Sequence, residues 1–134
     1  MKHYLSTAFC ALALILLACA CERPEDRVRD VAETFLNAYY TGDFAAAADF
    51  CTPRLAHHIL LGAEPLEQLP SELEQKMKEA VRQTSFNIVS VEVDEEAGTA
   101  VVHYALSGPG LEKPVPKSMT LQLEGRAALV DRIE

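Results

Sequence analysis

The spacing of apolar residues predicts two consecutive helices near the start of the chain. From Val28 to Tyr39, apolar residues recur at intervals of three and four, which places them on one face of a helix. Gly42 can adopt the left-handed conformation that ends such a helix, and Asp43 can cap the helix that follows. The apolar residues of the second helix are Phe44, Ala47, Ala48 and Cys51. We expect both apolar faces to be buried in the core.

Two further helices are predicted between residues 52 and 82. The first begins at Thr52 and ends near Gly62, and a loop follows as far as Pro70. Ser71 and Glu74 have the spacing of a capping box that opens the second. Its apolar stripe, which we expect to pack in the core, consists of Leu73, Met77, Ala80 and Val81.

The last third of the chain changes from a helical period to a period of two. The apolar residues Phe86 and Ile88 occupy even positions, whereas Val89, Val91 and Val93 occupy odd positions. Because this change moves the apolar side chains to the other face of the strand, a β-bulge is predicted near Ile88. Residues 95–98 have the composition of a hairpin turn. Further alternating segments occur at 99–106, 119–124 and 127–133. The pattern therefore predicts an α+β fold, with N-terminal helices packed against an antiparallel sheet of about four strands.

Length and charge limit the classes of partner. The chain has 134 residues, which is room for one domain. Twenty acidic residues stand against twelve basic ones, so that the net charge is −8 at pH 7, and Lys and Arg do not cluster. Because a nucleic-acid partner requires a basic patch, we expect none.

The adjacent residues His57 and His58 do not form a metal-binding pair. Neighbouring side chains on a helix point about 100° apart, so the two imidazoles cannot reach one ion from the same face. We expect one of them to face the core and the other to face solvent. The sequence predicts no metal site and no cofactor.

The N-terminal segment has the features of an export signal. An uninterrupted apolar run covers residues 8–18 after Lys2, and it is about half the ~20 residues that a transmembrane helix needs. The run ends in Leu16-Leu17-Ala18-Cys19, which resembles the lipobox of bacterial lipoproteins. This resemblance implies a signal peptide over 1–18, acylation of the Cys19 thiol, and a lipidated tether over 19–26. With Ala20 after the cysteine, it also implies a membrane anchor in the outer membrane, facing the periplasm. The alternative is an ordinary secretory signal, in which Cys19 is incidental.

Two cysteines remain after processing and lipidation, Cys21 and Cys51. In an oxidising compartment they can form a disulfide, provided that their Cα atoms come within about 7 Å. The alternative is that Cys51 is a buried free thiol, since it completes the apolar stripe of the second helix. No C-x-x-C pair is present to suggest thiol redox catalysis.

The order of motifs resembles the small bacterial lipoprotein domains of the nuclear-transport-factor-2-like superfamily, some of which are labelled lumazine-binding-like. The resemblance covers residues 27–134 and is most specific at Gly42–Ala47, G-D-F-A-A-A. It implies a curved sheet that wraps around the first helix as a cone, with a mouth that holds a small ligand. The residues expected to line this pocket are Phe35, Tyr39, Phe50, Tyr104 and Met119. Ala127 occupies the place of a Trp common in the family, which leaves a smaller plug in the cone.

Three functions are compatible with these features. The leading hypothesis is a non-catalytic lipoprotein of the cell envelope that binds a small apolar ligand or another envelope protein. The second is a structural subunit of an envelope assembly, which forms a homodimer through a sheet face or edge. The third is an isomerase- or dehydratase-like enzyme, which needs an acid or base at the cone mouth. Candidates for that role by position are Tyr39, Tyr40, Asp49, His103 and Asp131.

The lipid anchor can be tested directly by substitution. We expect metabolic labelling with a radioactive fatty acid to mark the wild-type protein in a bacterial host, and Cys19→Ser to abolish the label, because only the Cys19 thiol accepts the acyl group. Cys21→Ser is the matched control and should retain the label. Label that persists in Cys19→Ser would contradict the assignment.

Overall fold

The computed structural model describes residues 23–134, which form four helices followed by a four-stranded sheet. The helices are α1 (Pro24–Tyr40), α2 (Phe44–Ala48), α3 (Pro53–Glu67) and α4 (Ser71–Arg82), and the strands are β1 (Ser85–Asp94), β2 (Thr99–Ser107), β3 (Val115–Glu124) and β4 (Ala127–Ile133). The strands pair antiparallel in chain order. The predicted α+β fold, with helices packed against a curved antiparallel sheet, is confirmed. The predicted signal peptide, Cys19 and Cys21 lie outside the described residues.

Helix α1 occupies the concave face of the sheet. The apolar stripe predicted for it is buried at Val28, Ala32, Phe35 and Leu36. The inward side chains of β2, β3 and β4 meet this stripe and complete the core; they are Ala100, Val102, Tyr104, Met119, Leu121, Ala128 and Val130. The helix begins at Pro24, so that Glu25 and Asp26 are helical and belong to the domain rather than to the predicted tether.

The β-bulge predicted near Ile88 is confirmed. The register of β1 with β2 shifts between Ile88 and Ser90, and Val89 is left unpaired with 63% of its surface exposed. After the shift, the odd-numbered rather than the even-numbered residues face inward, so that Ile88 and Val91 both pack against the core. A second register shift lies between Thr120 and Leu121 of β3.

The corner between α1 and α2 forms as predicted. Gly42 has a φ of +83°, which disfavours any residue with a Cβ atom. The Oδ1 atom of Asp43 accepts a hydrogen bond of 3.2 Å from the Ala46 N–H group. This corner therefore positions Phe44 at the end of α1.

The segment between α2 and α3 pairs with the free edge of β4. The Thr52 N–H group donates to the Val130 carbonyl at 2.8 Å, and the Val130 N–H group donates to the Phe50 carbonyl at 2.8 Å. These bonds satisfy part of an otherwise unpaired strand edge. They also fix the point at which α3 begins.

Three local predictions for α3 and α4 are wrong. Helix α3 passes through Gly62 and ends at Glu67, so the predicted loop shrinks to a short connection before Ser71. The N-cap of α4 is Pro70, and Ser71 is already helical, so no capping box forms. His57 and His58 are both exposed, because the core-facing positions of α3 are instead Leu55, Ile59 and Ala63.

The apolar stripe of α4 does not pack in the core, contrary to the prediction. None of the residues of α4 is buried, and Leu73 and Met77 are 49% and 42% exposed. The physical reason is that α1, α2 and α3 already supply the helical side of the core, with buried residues such as Phe35, Ala47 and Leu55. The exposed side of α4 is therefore available for other contacts.

The difference in burial between α1 and α4 predicts a difference in stability. We expect Leu36→Ala to lower the free energy of unfolding by about 2–5 kcal/mol, because it opens a cavity in a closed core. Leu73→Ala is the matched control, and it should change stability by less than about 0.5 kcal/mol because Leu73 is exposed. Urea unfolding of both variants, followed by circular dichroism, measures the two values. Equal losses would contradict the assigned packing.

Candidate functional site: the groove between α3 and α4

The five residues predicted to line a pocket are found together, but in the core. Phe35, Tyr104 and Met119 are completely buried, and Tyr39 and Phe50 are partly buried against the same core. The Tyr39 ring stacks on Phe35 at a centroid distance of 5.5 Å. None of the five lines the apolar concavity between α3 and α4. They stabilise the inside of the cone.

The hydroxyl group of Tyr104 lies at the end of this cluster. It is 3.4 Å from the hydroxyl group of Tyr40. Burial raises the pKa of Tyr104, and the hydrogen bond with Tyr40 raises this pKa further. Burial also raises the pKa of Tyr39. Tyr39 and Tyr104 are therefore protonated at neutral pH and cannot act as resting bases.

The apolar concavity is a groove of about 400 Å³ between α3, α4 and the corner after α1. Its volume lies within the range of about 300–1,000 Å³ that is typical of small-molecule sites. It opens to solvent on one side, where Leu60 and Met77 are 45% and 42% exposed. Its apolar lining is Phe44, Ala45, Leu60, Ala63, Leu66, Leu69, Met77 and Val81.

Helical spacing explains why these residues face one groove. On α4, the lining residues Glu74, Met77, Lys78 and Val81 follow one another at intervals of three, one and three, which keeps them on one face. On α3, Leu60, Ala63 and Leu66 are spaced at three residues and face the same side. The short connection between the helices places Leu69 in the lining of the groove. The groove is thus a direct product of two amphipathic helices.

Three ionisable side chains stand among the lining residues, Asp43, Glu74 and Lys78. The Lys78 Nζ atom lies 3.2 Å from the Glu74 Oε1 atom, one helical turn away. Asp43 caps α2 through one carboxylate oxygen. All three residues are exposed, as are Leu60 and Met77, so they belong to the solvent-facing mouth of the groove, and the rest of its lining is mainly apolar.

The other candidate acid and base residues lie away from the groove. The Nε2 atom of His103 is 3.7 Å from the Glu92 Oε2 atom, and both side chains lie on the face of the sheet that points away from the core. Asp49 is exposed at the end of α2. Asp131 accepts a 2.9 Å hydrogen bond from Thr52 Oγ1. Within residues 23–134, no group of three or more His, Cys, Asp or Glu side chains is placed to hold a metal ion.

Cys51 is buried between α2 and β4. Its thiol donates to the Ala47 carbonyl at 3.3 Å, and burial raises the pKa of Cys51 to about 11. The thiol is therefore protonated and a poor nucleophile at neutral pH. Because Cys21 lies outside the described residues, a bridge between Cys21 and Cys51 stays a prediction.

The sequence pattern does not predict the groove, because it predicts other roles for the residues of both walls. It predicts a loop at Leu66 and Leu69, and core positions at Met77 and Val81. A signal was present: the apolar residues Leu60, Ala63 and Leu66 continue with helical spacing across Gly62. Among residues 23–134, no helix is both long enough and apolar enough to span a bilayer.

Comparison with known proteins identifies the fold only. No protein-family profile matches the chain, and no curated protein is similar enough to match. Among solved structures, a variant of Rd1NTF2_05 is 16% identical, with a TM-score of 0.52 over 84% of this chain and 98% of that one. At this level of identity, the similarity shows a common fold and carries no assignment of activity.

Two natural proteins of unknown function show weaker similarity. One, from Methylobium petroleophilum PM1, has a cystatin-like fold and is 10% identical, with a TM-score of 0.48 over 82% of this chain and 84% of that one. The other, from Cytophaga hutchinsonii ATCC 33406, is described as NTF2-like and is 15% identical, with a TM-score of 0.40 over 80% of this chain and 89% of that one. The similarity to the Rd1NTF2_05 variant supports the fold expected from the sequence motifs, whereas the lipoprotein and lumazine-binding-like parts of that resemblance remain predictions.

The bonds to Asp131 predict a pH dependence of stability. The hydrogen bond from Thr52, together with Arg54 at 3.2 Å, holds the pKa of the Asp131 carboxyl below its usual value. A lowered pKa in the folded state stabilises the protein above the unfolded pKa of about 3.9, and this stabilisation is lost as pH falls through the folded pKa.

We therefore expect Asp131→Asn to destabilise the protein at pH 7 and to reduce the difference in stability between pH 7 and pH 3. Urea unfolding at several pH values measures this effect. The control is Asp30→Asn on the exposed side of α1, which should leave the pH dependence close to that of the wild type. A pH dependence in Asp131→Asn that matches the wild type would contradict the assigned contribution.

Proposed function

We propose that this protein is a non-catalytic lipoprotein of the cell envelope that binds a small apolar ligand in the groove between α3 and α4. The observation that carries this proposal is the groove itself: an open concavity of about 400 Å³, lined mainly by aliphatic side chains. Two of those side chains, Leu60 and Met77, are more than two-fifths exposed. A ligand whose apolar groups cover them is stabilised in the groove by about 25 cal/mol for each Å² of apolar surface that is removed from water.

The distribution of polar groups supports binding rather than catalysis. General acid–base catalysis requires a titratable group within hydrogen-bond distance of the substrate atom that gains or loses a proton. In the groove, the available groups are Asp43, which caps a helix, and the Glu74–Lys78 ion pair. All three lie at the solvent-exposed mouth, where water competes with the substrate for their hydrogen bonds.

The position of the groove fits attachment through the N-terminus. Helix α1 has 17 residues and is therefore about 25 Å long. The predicted lipid at Cys19 precedes its first residue, Pro24, whereas the groove adjoins Thr41 just beyond its last residue. An anchor at Cys19 thus leaves the groove at the far end of α1, where it is accessible from the periplasm.

A tryptophan introduced into the groove provides a specific test of binding. The chain contains no Trp, so the emission of Met77→Trp reports the groove alone. We expect titration with n-alkyl alcohols to shift this emission to shorter wavelength, because the indole moves from water into an apolar contact. Affinity should rise with chain length by up to about 0.8 kcal/mol for each added methylene, until the groove is full.

Val89→Trp is the matched control, since Val89 is an exposed aliphatic residue on β1 that does not line the groove. Its emission should not change with added alcohol. The measurement uses residues 22–134, which contain the complete described fold. No shift in Met77→Trp with any chain length would contradict the proposal. A blue-shifted emission in a ligand-free dimer would instead favour the role of an assembly subunit.

A further inference from the structure

We propose that the groove selects amphiphiles with a cationic head group, whose alkyl tail lies between α3 and α4 and whose ammonium group lies beside Asp43. This inference rests on the proposed function and specifies its class of ligand. The juxtaposition that supports it is an apolar groove with an acidic mouth. The shape of the groove, the charges at its mouth and the charge of the whole chain support the same choice of ligand.

The shape of the groove requires an amphipathic ligand. The interior is lined by aliphatic residues such as Ala63, Leu66 and Leu69, which offer no polar side-chain group to a ligand. The mouth is open to water and carries Asp43, Glu74 and Lys78. An alkyl chain that fills the interior therefore places its polar end among these three side chains.

The charges at the mouth favour a cation. The ammonium group of Lys78 is 3.2 Å from the carboxylate of Glu74, so each largely neutralises the other. Asp43 remains as a carboxylate with one oxygen engaged by the Ala46 N–H group. An ionised carboxylate accepts about four hydrogen bonds, so Asp43 retains acceptor capacity for a ligand that donates from a positive group.

The charge of the whole chain acts in the same direction. Twenty acidic residues against twelve basic ones produce a negative field around the molecule. Such a field attracts cationic ligands to the surface and repels anionic ones. A fatty acid, which would carry a carboxylate to the same mouth, is therefore disfavoured even though its alkyl tail fits equally well.

The size of the groove favours a small molecule over a protein segment. A specific protein interface buries about 800 Å² on each partner, and this requires an extended surface. The groove is instead a local concavity of about 400 Å³ bounded by two helices and one corner. A single alkyl chain has a size that fits this volume. A basic peptide is the alternative ligand that the test includes.

The test compares three probes with the same twelve-carbon tail and different heads, each used below its micelle-forming concentration. These are dodecyltrimethylammonium, dodecyl maltoside and dodecanoate, titrated against the Met77→Trp variant. We expect the cation to bind about tenfold more tightly than the anion, with the neutral probe between them. The ratio should fall towards one when salt is raised from about 0.1 M to about 1 M, because the mouth is exposed and screened.

Variants then assign the effect to Asp43. In the Met77→Trp background, Asp43→Asn removes the charge and keeps a side chain that caps a helix equally well. We expect it to weaken binding of the cation severalfold and to leave the neutral probe unchanged. Asp30→Asn removes an equal charge from the exposed side of α1, away from the groove, and should change neither affinity.

The outcomes separate this inference from the proposed function. Equal affinities for the three probes, or tighter binding of dodecanoate, would overturn the charge selectivity and leave the apolar site intact. No emission shift with any probe would overturn both proposals. A basic amphipathic peptide that shifts the emission when none of the alkyl probes does would show that the groove takes a protein partner, and would overturn the small-ligand assignment.

Discussion

The contact between the apolar stripe of α1 and the concave face of the sheet determines the rest of the structure. Phe35 and Leu36 are completely inaccessible to solvent, and the inward residues of β2 and β3 close over them. Because this contact fills the inside of the cone, the aromatic residues that point inward become core rather than pocket. Buried residues of α2 and α3, such as Ala47 and Leu55, complete the helical side of this core, and α4 lies outside it. The exposed apolar stripe of α4 and the groove beside it are therefore consequences of how the first three helices cover the sheet.

A second set of contacts fixes the position of the groove relative to this core. The backbone bonds of Phe50 and Thr52 to Val130 attach the start of α3 to the edge of β4. The side chains of Thr52 and Arg54 add bonds to Asp131 on the same strand. The wall of the groove formed by α3 is thus anchored to the sheet at one end. Helix α4 has no buried residue, so the opposite wall is held mainly by its connections at both ends.

Local patterns in the sequence were sufficient for α1, for the corner at Gly42 and Asp43, and for the β-bulge after Ile88. Each depends on residues close together in the chain, and each is present in the structure. The full length of α3 is harder to predict, because Gly62 and Pro65 oppose helix formation locally by about 1 and 3 kcal/mol relative to Ala, although the apolar spacing continues across Gly62. In the structure the helix continues through both residues, with Ala63 buried and Leu66 in the lining of the groove. The site was missed for a related reason: amphipathicity shows that one face of α4 is apolar, but not which element covers it.

The central claim is that α1 and the sheet form one closed core, against which α4 is only loosely held. Native-state hydrogen exchange measured by NMR tests this claim residue by residue, since amides in the core exchange only through global unfolding. We expect the amides of Ala32, Phe35 and Leu36 to exchange at the slowest rates in the protein, and those of α4 to exchange much faster. Exchange of the α4 amides as slow as that of the α1 amides would contradict it.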